Sequence, residues 1–419
     1  MPLLIDEASA RQAIREIAAD ARAHAVARAS SLHLGLATLY HHVGAAGLLD
    51  DGAELAVAQI EQAIEHLAVG SANYHLIGGL PGIGWTLDHL LDRETADEVC
   101  DPIDQAIEAE LATPRWTSDY DLVRGLTGMG LYGLARSHAP RGQAIVRRAL
   151  DHLEANAERC PEGVAWFTPA ELLVTWHREW FPRGRYDYGV AHGIPGVVGL
   201  LARCVAADLE RERAARLLDG AVAFLLATAP PRQPARFPAC RAPGQHDHAP
   251  TRMAWCYGDL GVAITLLAAA RACRRADWEA EARALALQAA ACPTEAARVV
   301  DASLCHGSAG LAHVLRRLHQ ALGDPELADG ARRWFAHALA QRRPGDGLGG
   351  YSSPHTIDGV EQWQPDPSFL TGAPGTALAL LGALGGDDPD WDELLLCGAA
   401  ALAPAPPAPP APPANTQPQ

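Results

Sequence analysis

The sequence predicts an all-α protein built from repeated helical hairpins. Three observations carry that prediction. Apolar residues recur at helical spacing through most of the chain, alternating strand-like runs are scarce, and one Gly-x-x-Gly step returns again and again. Helical spacing is read over residues 5–29, 51–69, 142–157, 197–228, 262–292, 311–341 and 376–401, all rich in alanine and leucine. The step is Gly79-Leu-Pro-Gly82, Gly125-Leu-Thr-Gly128, Gly193-Ile-Pro-Gly196, Gly258-Asp-Leu-Gly261, Gly307-Ser-Ala-Gly310 and Gly372-Ala-Pro-Gly375, each followed by an apolar run. Gly35-Leu-Ala-Thr38 reads as a degraded first copy that keeps only the leading glycine. The shorter intervals between leading glycines, 44 and 46 residues, fit two helices plus their turns, and the longer ones must carry insertions. Seven such hairpins stack either as an open solenoid or as a closed ring.

The hairpin body is expected to span 1–402. The longest interval, from Gly125 to Gly193, holds Trp166-Phe-Thr-Pro and Trp176-His-Arg-Glu-Trp-Phe-Pro-Arg, so 155–188 reads as a small insertion, suited to a peptide partner or simply a loop pinned by its aromatics. Residues 229–250 form a Pro-rich loop whose His246 and His248 are expected to face solvent. The Ala-Pro-Pro repeat of 403–419 is expected to be extended and disordered.

Composition narrows the function. With 48% hydrophobic and 20% charged residues the chain has ample core. Its net charge is −16 and it contains no lysine, so it lacks the basic stripe of a nucleic-acid or anionic-membrane binder and suits a cationic partner. The N-terminal residues lack the pattern of a signal peptide, and no uncharged stretch reaches transmembrane length. Nine scattered cysteines do not resemble a disulfide framework, so a reduced, cytoplasmic setting is expected.

The chemistry gathers at two of the glycine steps. Cys256 stands in Trp-Cys-Tyr-Gly-Asp-Leu-Gly, and Cys305 with His306 in Leu-Cys-His-Gly-Ser-Ala-Gly. Two thiolates and an imidazole make a soft N/S set suited to zinc, and three protein ligands leave a coordination position open, the mark of a catalytic rather than a structural site. Cys256 and Cys305 precede predicted helix N-termini, which favour thiolate. Cysteine is also among the most buried residue types, and Cys100, Cys204, Cys273, Cys292 and Cys397 are read as inert packing. The repeat argues for the zinc reading, because adjacent hairpins set equivalent positions side by side. His192, in Ala-His-Gly-Ile-Pro-Gly, is placed nearly as Cys256 is in its own repeat, and serves as a fourth ligand or as an acid/base. Asp121 either caps the following helix or orients an imidazole. Arg252 and Tyr257 either pack and pair or stabilise an oxyanion beside the metal.

Those motifs, together with Ser368-Phe-Leu-Thr-Gly-Ala-Pro-Gly, resemble in order and spacing the serial motifs of the lanthionine synthetase C family, over roughly residues 30 to 390. The resemblance implies an α/α toroid of seven inner and seven outer helices with zinc at the central opening. It implies Cys256, Cys305 and His306 as zinc ligands, His192 as the catalytic acid/base, and Asp121, Arg252 and Tyr257 as residues lining the site. It suggests that 155–188 matches the small SH2-like insertion of bacterial members. The implied reaction adds peptide cysteine thiols to dehydroalanine or dehydrobutyrine, forming lanthionine or methyllanthionine rings. The implied partners are a dehydrated precursor peptide with its leader, a dehydratase and an exporter, with attachment to the membrane periphery within such a complex. Thr38 and the proline-rich tail depart from the family pattern, away from the catalytic positions.

Three other readings compete. One is a related enzyme joining glutathione or another thiol to dehydrated residues. Another is a non-catalytic peptide-binding toroid with a structural zinc, closed by His192. The last is a carbohydrate-active α/α barrel, which would need facing carboxylates where these steps present Cys and His.

Overall fold

The computed structural model describes residues 4–24, 30–69, 73–230, 235–244, 251–357, 359–385 and 390–404. Seven helical hairpins close into a ring. The inner helices are α2 (Ser30–Ala45), α4 (Leu80–Leu90), α6 (Leu126–Ala135), α9 (Ile194–Ala206), α11 (Asp259–Cys273), α13 (Ser308–Leu322) and α15 (Ala373–Ala383). The outer helices are α1 (Glu7–Ala23), α3 (Gly52–Val69), α5 (Arg93–Glu110), α7 (Pro140–Ala155), α10 (Arg211–Thr228), α12 (Ala276–Ala290) and α14 (Pro325–Ala340). Each inner helix packs on the next around the circle, and α15 returns to α2. Inner helices such as α9 and α11 are buried along nearly their whole length, as apolar helices covered on every face must be. Outer helices carry a single buried stripe, such as Ile145, Val146, Ala149 and Leu150 on α7.

The 376–401 segment departs from expectation. Its helix stops at Ala383, Gly385 turns the chain with φ +81°, and only a 3-10 turn (Trp391–Leu395) and α16 (Ala399–Leu402) follow. The outer partner of α15 is instead α1, so the start of the chain completes the last hairpin. The 391–395 turn plugs the ring between inner helices. Trp391 is fully buried, Trp255 donates to the Leu395 carbonyl at 2.8 Å, and buried Asp392 accepts from His313 and Arg317.

The glycine steps cap inner helices α4, α6, α9, α11, α13 and α15 at their N-termini. A Cβ on the second glycine of each step would lie 1.9 to 2.4 Å from the carbonyl oxygen six residues earlier, so the incoming loop rests directly on the first helical turn. Gly258 has the further requirement of φ +92°. Gly35 does not belong to this set. It lies inside α2, and a Cβ there would meet the Cβ of Phe369 at 2.9 Å, so its role is close packing rather than capping.

Among the described residues, strands occur only in excursions from the ring. In the 155–188 insertion, β1 (Glu158–Cys160) pairs with β2 (Gly163–Ala165), and β3 (Phe167–Thr168) pairs with β4 (Arg185–Asp187). The short α8 (Thr175–Trp180) lies between β3 and β4. β5 (Cys240–Arg241), from the Pro-rich loop, adds to β4. A second hairpin joins β6 (Ser353–Ile357) to β7 (Val360–Gln364). His246, His248 and residues 405–419 lie outside the described residues.

Candidate metal and proton-transfer site

The loops entering the inner helices are tied to one another by backbone hydrogen bonds at one repeat position. Ile77 N–H donates to Val123 C=O (3.4 Å), Val123 to Ala191 (3.3 Å), Ala191 to Cys256 (3.5 Å), Cys256 to Cys305 (3.2 Å) and Cys305 to Leu370 (2.8 Å). These bonds hold equivalent positions of successive repeats in register at one end of the ring. Two residues before the leading glycine stand Ile77, Val123, Ala191, Cys256, Cys305 and Leu370. One residue before it stand Gly78, Arg124, His192, Tyr257, His306 and Thr371. The two cysteines therefore share a register, while His192 shares that of His306 and Tyr257 rather than that of Cys256.

Cys256, Cys305 and His306 converge, with their donor atoms all within 4.8 Å of one another, the one such group of His, Cys, Asp or Glu among the described residues. Cys256 is buried, whereas Cys305 and His306 are half-buried and reach solvent. The expectation that both thiols are lowered holds for one of them. A hydrogen bond from the Cys305 thiol, with His306 and the charge of Arg252 adding to it, holds Cys256 far below the usual thiol range. The same bond, with burial, drives Cys305 up, because two adjacent thiols cannot both ionise cheaply. Burial works against a charged His306, yet the adjoining Asp301 carboxylate and Cys256 sulfur raise it to about 9.

Behind His306 stands Asp301, with Oδ2 3.4 Å from Nε2. Burial pushes the Asp301 carboxyl up, but the His306 contact and donation from the Ser303 backbone and hydroxyl bring it below its ordinary value. The other ring nitrogen of His306, Nδ1, is buried and has no hydrogen-bond partner. A carboxylate behind one nitrogen and an orphaned lone pair on the other, beside two sulfurs, is the donor arrangement that fits a soft divalent cation.

The neighbouring step carries a different histidine. His192 Nδ1 donates to Asp121 Oδ2 at 2.6 Å, and Asp121 Oδ1 accepts from the Arg124 backbone N–H at 2.6 Å. Burial lowers the affinity of His192 for a proton, but the bond to Asp121 and its charge outweigh burial and hold the pKa above the ordinary histidine value. The His192 side chain keeps 34% exposure against 4% for Asp121. A cavity of about 210 Å³ opens here, lined by His192, Asp121, Asp119, Arg124 and Tyr257, and walled by Leu173, Val174 and His177 of the insertion. Tyr257 directs its hydroxyl to Asp187 Oδ2 at 3.3 Å, and burial with the Asp187 charge keeps it protonated far above its usual range. Arg252 is exposed at the rim, where its charge acts on the Cys/His group, and among the described residues no hydrogen bond fixes its guanidinium.

Sequence reading missed Arg124, Arg185, Asp187 and Asp301. Arg185 and Asp187 pair at 2.9 Å as buried groups on β4, in the cavity wall. A signal for the acids was present. Six residues before the leading glycine stand Asn73, Asp119, Asp187, Asp301 and Asp366, with Arg252 the exception. Four of these side chains accept from the backbone N–H two residues on: Asn73 from His75, Asp187 from Gly189, Asp301 from Ser303 and Asp366 from Ser368, at 2.8 to 3.0 Å. The position is an Asx turn that sets up each step. In the fifth repeat the arginine replaces it.

A model of the family described as lanthionine synthetase C-like protein matches residues 29–396. No curated protein matches the chain. Among solved structures the chain is similar to nisin cyclase, with a TM-score of 0.72 and 19% identity over 87% of this chain and 90% of that one. At that identity the likeness carries the fold.

Proposed function

The chain belongs to the lanthionine synthetase C-like family, and from that premise we propose that it is a zinc-dependent peptide cyclase. It closes thioether rings by adding cysteine thiols of a ribosomally made peptide to dehydroalanine or dehydrobutyrine in the same peptide. The observation that carries the reading is the convergence of Cys256, Cys305 and His306 one step from the His192–Asp121 pair. Cys256, Cys305 and His306 would hold the zinc, which when bound supplies the acidity that keeps a substrate thiol as thiolate at neutral pH.

In the reaction a carbon–sulfur bond forms at Cβ of the dehydro residue, its double bond opens toward the carbonyl, and Cα takes a proton. His192, held protonated by Asp121, is the donor to Cα. Our candidates for stabilising the enolate oxygen are Arg252 and Tyr257, whose neutral O–H would turn to it from Asp187. The 155–188 excursion, read as the SH2-like insertion, bounds the substrate cavity through Leu173, Val174 and His177. The acidic chain suits a cationic leader. A dehydratase must act first, since the proposed reaction begins from serine or threonine that has already lost water, and an exporter is the partner class that would take the product. No helix among the described residues is long and apolar enough to cross a membrane, and the association we propose, within a biosynthetic complex, is peripheral.

The test is incubation with a dehydrated peptide that retains free cysteines, counting the thiols left for alkylation, with zinc measured by elemental mass spectrometry. Loss of thiols without change of mass, together with about one zinc bound by the Cys256 group, is expected. Unchanged thiols with zinc bound would turn the reading into a peptide-binding toroid. Consumption of added glutathione would turn it into intermolecular thiol addition.

A further inference from the structure

The proposed reaction places a demand on the cavity at His192. As the sulfur lone pair makes the bond to Cβ, the Cα–Cβ π pair moves through the carbonyl carbon onto its oxygen. When the pair returns, Cα takes the His192 proton, and the proton that the thiol had released to solvent restores the imidazole. The carbonyl oxygen lies about 2.4 Å from Cα. The group that steadies its charge must therefore line the same cavity as the proton donor.

Arg252 lines a separate cavity of about 140 Å³, with Met253, Cys292 and Ala297. The His192 cavity, about 210 Å³, is lined by two other arginines, Arg124 and Arg185. Arg124 is 36% exposed and loosely paired, 3.5 Å from Asp119 and 3.9 Å from Asp121. Arg185 is built into the wall. Its side chain is 8% exposed, and its Nη2 donates to Asp187 Oδ2 at 2.9 Å. The Phe181 ring centroid lies 5.2 Å from its Cζ, and the Cys240 thiol adjoins the guanidinium. Its backbone is fixed in β4, opposite Thr168 of β3. The Nε–H of Arg185 is buried and has no acceptor among the described residues. Tyr257 directs its O–H to the same Asp187 oxygen, at 3.3 Å, so the two donors converge on one point of the wall. The charges of Arg185 and His192 are both felt at His177 and at Asp187, which sets both around one space.

A buried ion pair stabilises a fold little more than apolar residues of the same volume would. A guanidinium held rigid in a cavity wall with one N–H unsatisfied is, by contrast, the preorganised donor that developing negative charge requires. We infer that Arg185 is a further catalytic residue, whose guanidinium, oriented by Asp187, takes the carbonyl oxygen of the dehydro residue while His192 protonates its Cα. Arg185 has this role only within the cyclase reading, and through it the 155–188 insertion takes part in the chemistry.

Cyclisation kinetics of the full chain with a dehydrated peptide bearing free cysteines, read by the thiol count, test this role. Arg185→Met should lower kcat by about 10²–10³-fold, with KM and bound zinc unchanged, because the contact forms only as charge reaches the oxygen. A wild type that closes no rings would remove the cyclase reading and this role with it. A wild type that cyclises, beside an Arg185→Met variant within about threefold of its kcat, would overturn the role of Arg185 alone. So would a loss confined to KM or accompanied by loss of zinc. Should Arg185→Met fail to fold, Arg185→Lys keeps a cation beside Asp187 without the planar fork. Its kcat should fall about 10-fold at unchanged KM, and an undiminished kcat would overturn the role.

Discussion

His192 and His306 occupy the same position in their glycine steps, one residue before the leading glycine, yet they are equipped for different tasks. His306 has a buried, unpartnered Nδ1, two sulfurs beside it, and its carboxylate Asp301 at 3.4 Å from its own loop. His192 has no sulfur partner in its loop, since the position before it is Ala191. Its carboxylate is Asp121, from the preceding repeat, at 2.6 Å. In the proposed function one imidazole is a ligand and the other a proton donor. The backbone is shared, and the residue before the histidine and the origin of the carboxylate decide the chemistry.

Substitutions that exchange the two environments test this contrast. The largest effect is expected for Cys305→Ala, which should abolish zinc binding by the Cys256 group and ring closure together, as read by elemental analysis and the thiol count. His192→Asn should keep the metal while lowering the cyclisation rate by about 10²–10⁴-fold. If His192→Asn also lost the metal, the two histidines would not be functionally distinct.

The carboxylates should separate in the same way. Asp301→Asn should weaken metal binding about 10–100-fold, measured by competition with a chelator. Asp121→Asn should leave metal affinity alone and move the pH profile. Asp121 holds the His192 pKa up, and in the proposed reaction the protonated ring is the donor. Activity is therefore full below that pKa and falls as pH rises through it, and losing the carboxylate should shift the fall to lower pH. The smallest difference is expected from Gly196→Ala against Gly310→Ala. Both glycines press on a loop carbonyl, and the added Cβ would meet its oxygen at 2.4 and 1.9 Å respectively. Each substitution should cost about 1–3 kcal/mol of stability by thermal denaturation, Gly310→Ala slightly more.

Much of the architecture is legible before any coordinates. The Gly-x-x-Gly spacing marks the N-termini of six inner helices because a close backbone approach admits no Cβ, a constraint local enough to be written in sequence. Cys256, Cys305 and His306 are legible because their donor chemistry is distinctive and the repeat implies their adjacency. Other features were present but unread. An aspartate six residues before four of the six steps carries the same periodicity as the glycines, and the buried stripe Ala96, Cys100, Ile103 and Ile107 marks α5 despite Pro102 within it. The strands β3, β4 and β5 are two or three residues long, too short to show alternation, and β5 comes from a loop more than fifty residues beyond β4.

Residue type and short-range spacing were therefore enough for the repeat, the helical class and the identity of the soft donor set. The remaining features waited on the folded chain. Folding set α1 against α15 to close the ring and gave His192 its Asp121 from another repeat. It brought Arg185 and Asp187 into the cavity wall and faced His42 toward His89. Most of these pairings join residues distant in the chain, through packing and hydrogen bonds that exist only once the circle of inner helices is complete.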